Sequence, residues 1–428
     1  AETDEVEAYH DRVRETVAAR LAPDVSRAKH GRLAAVLEAS GEADPEVVGV
    51  HFLAADEPAK AAGYFAAAAD EAAEALAFER AAALYRKAIE VGRHDDASKA
   101  TLSARLGDAL ANAGRGVEAA SAYLDAAAGA SADEALERRR RAAMQFLVSG
   151  HVDEGLETLQ DVLARVGMTL PRTPNRALAS LLWRRALLRL RGLRFRERDA
   201  ADVEPEALAR IDVCWSAGVG LSVVDTIRGA DFQARGLLLS LAAGEPSRVA
   251  RALAMEAAHA ASTGGSNRRR TERLLATADA MARRVEHPYA QGMVTLAKGV
   301  SAYLEGRWAV AQARCDEAEA TFRDRCTGVS WERNTADAFS LWALSHQGET
   351  GELTRRWPIL LAQALDRGDL YAAMNLSSYL MSVVRLAADE PARARAELAA
   401  TNARWSRRGY HVQHNDALWA AVQIELYD

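Results

Sequence analysis

His411 and His414 stand three apart in Tyr-His-Val-Gln-His, with Asp416 two positions further on. On a helix that spacing lets two imidazoles share a metal ion. A bare pair with no cysteine and no second carboxylate motif is an incomplete ligand set, and the plainer reading is packing and hydrogen bonding near a C-terminal turn. Gly264-Gly265-Ser266-Asn267, followed by Arg268-Arg269-Arg270, has the glycine and positive charge of a phosphate cradle. It lacks the lysine and the preceding strand, so it reads as a hairpin loop. No Gly-x-x-x-x-Gly-Lys-Ser/Thr loop, Gly-x-Ser-x-Gly elbow or His-Glu-x-x-His helix occurs. Cys214, Cys315 and Cys326 are too widely spaced for a disulfide framework or a zinc cluster and fit a reducing compartment. The sequence therefore assigns no catalytic residue, no metal ligand and no cofactor.

What remains is binding chemistry. Arginines at 176, 184, 185, 189, 191, 194, 196 and 198 sit among leucines, and could bind phosphate, an acidic partner or anionic lipid. On a helical wheel both residue types spread round most of the circumference. That pattern suits a helix wedged between neighbours, with arginine stems along apolar surface. Arg138-Arg139-Arg140-Arg141 reads as a solvated helix face paired with Glu134 and Glu137. The eight tryptophans, Trp183 to Trp419, all lie in the C-terminal part. Large aromatics in an alanine-rich chain either fill wide gaps between helices or line a groove where a ligand stacks. Trp215, Trp308, Trp331 and Trp342, with Arg235, are the groove candidates.

The elements that must carry these residues are helices. The chain has 428 residues, 10 prolines, 28 glycines and 6% aromatics, with alanine dominating its apolar half, so it reads as all-α. A chain this long suggests two or three domains unless it is a solenoid that grows by addition. Residues 114 to 124 show the unit. Leu102, Leu106, Leu110 and Ala113 share one face before Gly114, and Ala119, Ala120, Tyr123, Ala126 and Ala127 make a small-residue stripe after it. Two such faces are too small to bury alone and must stack on further hairpins. The pattern returns 36 residues on at Gly150, where Gly155 and Leu159 take the places of Ala119 and Tyr123. That spacing is close to the tetratricopeptide period of about 34. A second register appears at Gly306, with Trp308, Ala311, Cys315 and Ala318. A turn followed by proline at the first helical position recurs as Asp56-Glu57-Pro58, Gly244-Glu245-Pro246 and Asp389-Glu390-Pro391.

The expected order is the end of a winged-helix subdomain over 1–43, with strand-like Val6-Glu7-Ala8-Tyr9, then a tetratricopeptide-like array over 44–166. A linker at 167–175, holding Pro171 and Pro174, then leads to a second helical array over 176–428. The whole is expected to be a right-handed superhelix of hairpins. Both ends read as cuts in a longer polypeptide. The formal charge of −6 argues against a nucleic-acid binder overall. No stretch of about 20 uncharged apolar residues exists to span a bilayer, and no signal peptide opens this sequence. The expected location is cytoplasmic, with no membrane contact.

Tyr9-His10-Asp11-Arg12-Val13-Arg14-Glu15, then Gly49-Val50-His51-Phe52, residues 56 to 62 and Leu84-Tyr85-Arg86-Lys87-Ala88 resemble the junction of winged helix and repeat array in bacterial STAND-class signalling ATPases. Ile211-Asp212-Val213-Cys214-Trp215, residues 228 to 235, residues 367 to 372 and residues 409 to 414 are similar to the C-terminal region of multidomain bacterial serine/threonine protein kinases. The resemblance covers essentially the whole chain and rests on packing motifs. It implies a non-catalytic sensor or protein-interaction arm, with ATPase and kinase domains upstream in cis. A protein or small effector would bind on its concave face; a small-molecule sensor is the alternative, and a nucleic-acid accessory ranks last. It also implies that His10-Asp11 matches the pair that closes over ADP in such ATPases. His10 would be half of a site, because the domain presenting the phosphate is not in this sequence.

Overall fold

A computed structural model describes residues 15–16, 19–222 and 224–428. Val6–Tyr9, His10 and Asp11 lie outside them, so the strand-like start and the implied nucleotide contact have no structural counterpart here. All regular structure among the described residues is helical. By compactness the chain forms two units, Ala1–Ala109 and Leu110–Asp428.

The first unit holds α1 (Pro23–Ser40), α2 (Pro45–Ala54), α3 (Pro58–Glu74), α4 (Phe78–Val91) and most of α5 (Asp96–Asn112). Proline opens α1, α2 and α3, where its missing N–H forfeits no helical bond. Asp44 caps α2 by accepting from the amide of Glu46 at 2.8 Å. Helices α1 to α4 pack each on the next around Phe52, Phe65 and Tyr85, with Ala61, Ala69, Ala81 and Ala88 buried. The large-against-small pairing lets short turns suffice. At Gly49 an added Cβ would come within 2.9 Å of the Phe65 ring.

The second unit continues with α6 (Gly116–Ala128), α7 (Ala132–Val148), α8 (Val152–Arg165), α9 (Pro174–Arg191), α10 (Pro205–Ser222), α11 (Thr226–Ala243) and α12 (Pro246–Ala261). It goes on through α13 (Arg268–Val285), α14 (Pro288–Leu304), α15 (Trp308–Arg325), α16 (Ser330–Gln347) and α17 (Thr350–Asp366). The last elements are α18 (Leu370–Asn375), a π-helical turn (Leu376–Leu380), α19 (Met381–Ala387), α20 (Pro391–Arg404) and α21 (Val412–Tyr427). The π-turn leaves the Leu376 carbonyl within reach of a side chain, and the Trp357 indole donates to it at 2.7 Å.

Residues 167–175 do not separate compact units. Met168 is buried, with its sulfur 3.8 Å from that of Cys214, and the Pro171 carbonyl accepts from Arg228 at 3.0 Å. Helix α7 packs on α10 across this stretch. The compactness boundary falls inside α5 instead, where no proline or glycine cluster marks it.

The arginine-rich stretch is helical to Arg191 rather than Arg198, because Gly192 turns out at φ 72°. The following strand of backbone is held by Arg198 N donating to the Gly244 carbonyl at 3.0 Å. On α9 the stripe Ala177, Leu181, Arg184 and Leu188 faces α11. Leu178, Leu182, Trp183 and Leu190 stand on the opposite side and are exposed, Leu190 by 86%. The wedge expected from the wheel is therefore packed on one side only.

The recurrent proline turn is one geometry. Asp56, Gly244 and Asp389, each two positions before the proline, all adopt the left-handed conformation, with φ of 65°, 84° and 59°. The two glycine rungs also match: Gly114 and Gly150 have φ of 80° and 86°. Both turns dock on C-terminal turns of the same unit. Ser330 donates to the Ala111 carbonyl at 3.4 Å, Arg115 reaches the Asp366 carbonyl at 3.4 Å, and Ser149 holds the start of α18. Ser406 donates to Asp153 at 3.2 Å across 253 positions. The second unit is thus closed on itself.

Candidate binding surface

In the second unit, α10, α12, α14, α16 and α18 are the first helices of successive hairpins. Helix α12 lies against α14, α14 against α16, and α16 against α18. Close approach within a hairpin is set by small residues: a Cβ on Gly292 of α14 would come 2.5 Å from the Phe322 ring of α15. The face shared by these first helices carries a ladder of aromatic and charged side chains.

At its start, Asp212 of α10 receives Arg248 at 2.7 Å and also Arg251, both from α12. Burial opposes ionisation of Asp212, yet the Arg248 hydrogen bond and the two guanidinium charges hold it below the usual carboxylate range. The held Arg251 lies 4.8 Å from the centroid of the Trp215 ring, a cation–π contact. Next, Tyr289 of α14 donates to Glu332 of α16 at 2.9 Å. Burial pushes Glu332 up to about 7, against the pull of that hydrogen bond, and raises the Tyr289 hydroxyl well above its ordinary value. Further along, Trp342 meets Phe339 edge-on at 4.9 Å and Tyr303 at 6.1 Å. At the rim Trp308 stacks on His346 at 4.9 Å, with the ring planes 19° apart.

The sequence candidates are therefore sorted by the fold. Trp215 and Trp342 are half-buried and join one apolar cluster with Met144, Met255 and Tyr371. Trp308 is on the rim. Trp331 is core: it is 8% exposed, and its indole N–H finds no acceptor among the described residues. Arg235 is not in the ladder. It stands half-buried on α11 near Arg184, Arg210 and Cys214, and desolvation followed by those like charges lowers its pKa. Asp212, Arg251, Tyr289 and Glu332 were not legible as site residues, since each is an ordinary helix residue until its partner on another helix is known.

The other motifs take structural parts. The Trp405 indole donates to His411 Nδ1 at 3.0 Å, and the His411 amide donates to His414 Nδ1 at 3.0 Å, so both rings serve the start of α21. Gly264–Asn267 is a short turn leading into α13. Arg140 and Arg141 bond Glu137 as the spacing suggests, but Arg140 also reaches Ser216 and is only 15% exposed, so it is not a solvated residue. Among the described residues no group of three His, Cys, Asp or Glu could hold a metal ion, and no helix is long and apolar enough to cross a membrane.

These contacts define an all-α protein of tetratricopeptide-like helical hairpins. No protein-family model and no curated protein matches the chain. Among solved structures it is similar to a chain in the crystal structure of the APC/C hetero-tetramer Cut9–Hcn1. The identity is 11%, the TM-score 0.28, and the match covers 97% of this chain and 92% of that one. The hairpin architecture stands on its own contacts and takes nothing further from this likeness.

Proposed function

We propose that this chain is a non-catalytic protein-interaction arm, taking a partner segment on the face shared by α10, α12, α14 and α16. One observation carries the reading: Arg251 is held by Asp212 over a half-buried Trp215, on the same face as half-buried Trp342. Pre-set aromatic anchors with an oriented charge are the elements from which binding hot spots are made. Selecting peptides from a random library on the immobilised chain tests this. Binders should lose at least tenfold affinity for Trp342→Ala and Arg251→Ala; binders indifferent to both sink the reading.

The finer proposal is that the arm belongs to a cytoplasmic bacterial signalling kinase with a STAND-class ATPase, preceded by the end of a winged helix. It is supported by the resemblance around His10-Asp11 and the repeat array that follows. Effector binding to the arm would release the ATPase, with ADP or ATP bound upstream. Reading the gene upstream of Ala1 tests it: no P-loop ATPase there would overturn it.

A small-molecule effector is favoured by a cavity of about 290 Å³ beside α17, α18 and α20. Leu361, Met374 and Trp405 line it together with Ser377, Thr401 and Arg404. A thermal-shift screen in which one compound class raises the melting temperature, and Met374→Trp abolishes the shift, would establish that reading.

A further inference from the structure

The cavity beside α17, α18 and α20 changes in character along its length. Leu370, Ala373, Met374 and Ser377 line one side, on α18 and the π-turn. Glu397, Ala400, Thr401 and Arg404 line the other, on α20. Both sets follow helical spacing, so each helix turns one face to the cavity. Leu361 and Leu365 of α17 add an apolar wall. Contacts outside the cavity fix its two ends. At one end Trp405 adjoins Leu370: a Cβ on Gly150 would come 2.9 Å from the Trp405 ring and 3.0 Å from Leu370 Cβ. At the other end Arg385 bonds Glu397 at 2.9 and 3.0 Å and lies 5.2 Å from the centroid of the Trp357 ring, whose indole donates to the Leu376 carbonyl. Arg404 therefore stands at the Leu370 end and Ser377 at the Glu397 end. Glu397 to Arg404 spans about 10 Å of helix.

The two ends differ in charge. Arg385 and Arg393 are matched by Glu390 and Glu397: Arg393 also donates to Glu397 at 2.8 Å, and Glu390 accepts from Arg385 at 3.3 Å and from Arg393 at 3.2 Å. That end is neutral. Its free polar group is the Ser377 hydroxyl, which is 7% exposed and makes no hydrogen bond among the described residues, although a buried hydroxyl normally has a partner. Thr401 is not of this kind, since its hydroxyl donates to the Glu397 carbonyl at 2.9 Å. Arg404 is exposed, with neither ion pair nor hydrogen bond among the described residues, so the uncompensated charge of the cavity is positive. Between the ends, Ala373 and Met374 are buried and apolar. Trp405 offers only its ring, because its indole N–H is taken by His411. One guanidinium matches a monoanion, and its fork suits a carboxylate.

We propose, resting on the small-molecule reading of this cavity, that it takes an elongated carboxylic acid of medium chain length. The carboxylate sits on Arg404, the chain on Met374 and Trp405, and a terminal hydroxyl or amide on Ser377.

Isothermal titration of the full chain with decanoate, ω-hydroxydecanoate and decanol, each below its micellar concentration, tests this. Saturable binding of decanoate is expected, with decanol at least tenfold weaker and ω-hydroxydecanoate tighter than decanoate. Arg404→Gln should bring decanoate down to the level of decanol. Because Arg404 has no partner in the protein, this variant should melt with wild type, so that lost binding is not lost fold. Ser377→Ala should remove the advantage of the hydroxyl and leave decanoate unchanged. Met374→Trp should abolish binding of all three, and the surface variant Arg314→Gln should change none. Decanol binding as tightly as decanoate, or decanoate binding that survives Arg404→Gln, would overturn the carboxylate assignment. If Met374→Trp still abolishes that binding, the cavity remains a small-molecule site for another class. Equal affinities for decanoate and ω-hydroxydecanoate would overturn the Ser377 contact. Binding of none of the three would overturn the proposal, and the broader thermal-shift screen then decides separately whether the cavity is a small-molecule site.

Discussion

The backbone carbonyl of Ser149 accepts the amide of Leu370 at 2.9 Å, and that of Tyr371 at 3.3 Å. The turn after α7 therefore caps the start of α18, and the adjoining Gly150 has no room for a side chain. An added Cβ there would come 2.7 Å from Tyr371 N and 2.9 Å from the Trp405 ring, at a φ of 86°. Gly150→Ala should cost about 3 kcal/mol or more, combining backbone strain with overpacking. Gly306 has a similar φ of 75° but nothing within 4 Å, so Gly306→Ala should cost only about 1 kcal/mol. Thermal melts of the two variants check the difference.

The proline turns predict opposite outcomes for opposite swaps. Asp56 tolerates a left-handed φ of 65° at some cost, so Asp56→Gly should be neutral or up to about 1 kcal/mol stabilising. Gly244→Asp places a side chain against the Arg196 carbonyl and should destabilise by more than about 2 kcal/mol. Urea midpoints of the two variants would show the sign.

How much of this was legible follows from range. Helix limits, the left-handed glycines at 114 and 150 and the proline turns are decided by residues a few positions apart, so the sequence carries them openly. The Ser149–Leu370 closure is not of that kind, and neither is the Arg184–Asp231 pair, because nothing local to either residue encodes its partner. The break inside α5 left no mark either, since a helix crossing between compact units needs no proline or glycine. Tryptophan type also said nothing of place: Trp331 and Trp342 lie on one helix, one in the core and one half-buried.

That difference can be measured. Trp331→Ala should cost about 3–5 kcal/mol, whereas Trp331→Phe should cost far less, because it also removes an N–H that has no acceptor here. Trp183 is 65% exposed, and Trp183→Ala should stay within about 0.5 kcal/mol of wild type. Equal melting temperatures for Trp331→Ala and Trp183→Ala would contradict the placement.

Glu332 predicts a pH dependence. Its folded pKa of about 7 lies above the ordinary 4.5, so between those values the folded state binds more protons than the unfolded. Stability from this group is full below pH 4.5 and falls as pH rises through 7. Glu332→Gln keeps an acceptor for Tyr289 and removes the charge. The variant should therefore gain on wild type by roughly 2 kcal/mol between pH 5 and pH 8, at about 1.4 kcal/mol per pKa unit. Melting curves at the two pH values that run parallel for both proteins would contradict it.

The ladder as a binding face is tested most directly by fluorescence anisotropy of a library-selected peptide against three full-length variants. Trp342→Ala and Arg251→Ala should each raise Kd at least tenfold, while Trp183→Ala, on the exposed side of α9, should leave it within twofold. A peptide whose affinity follows Trp183 and ignores Trp342 and Arg251 would place recognition elsewhere and contradict the account.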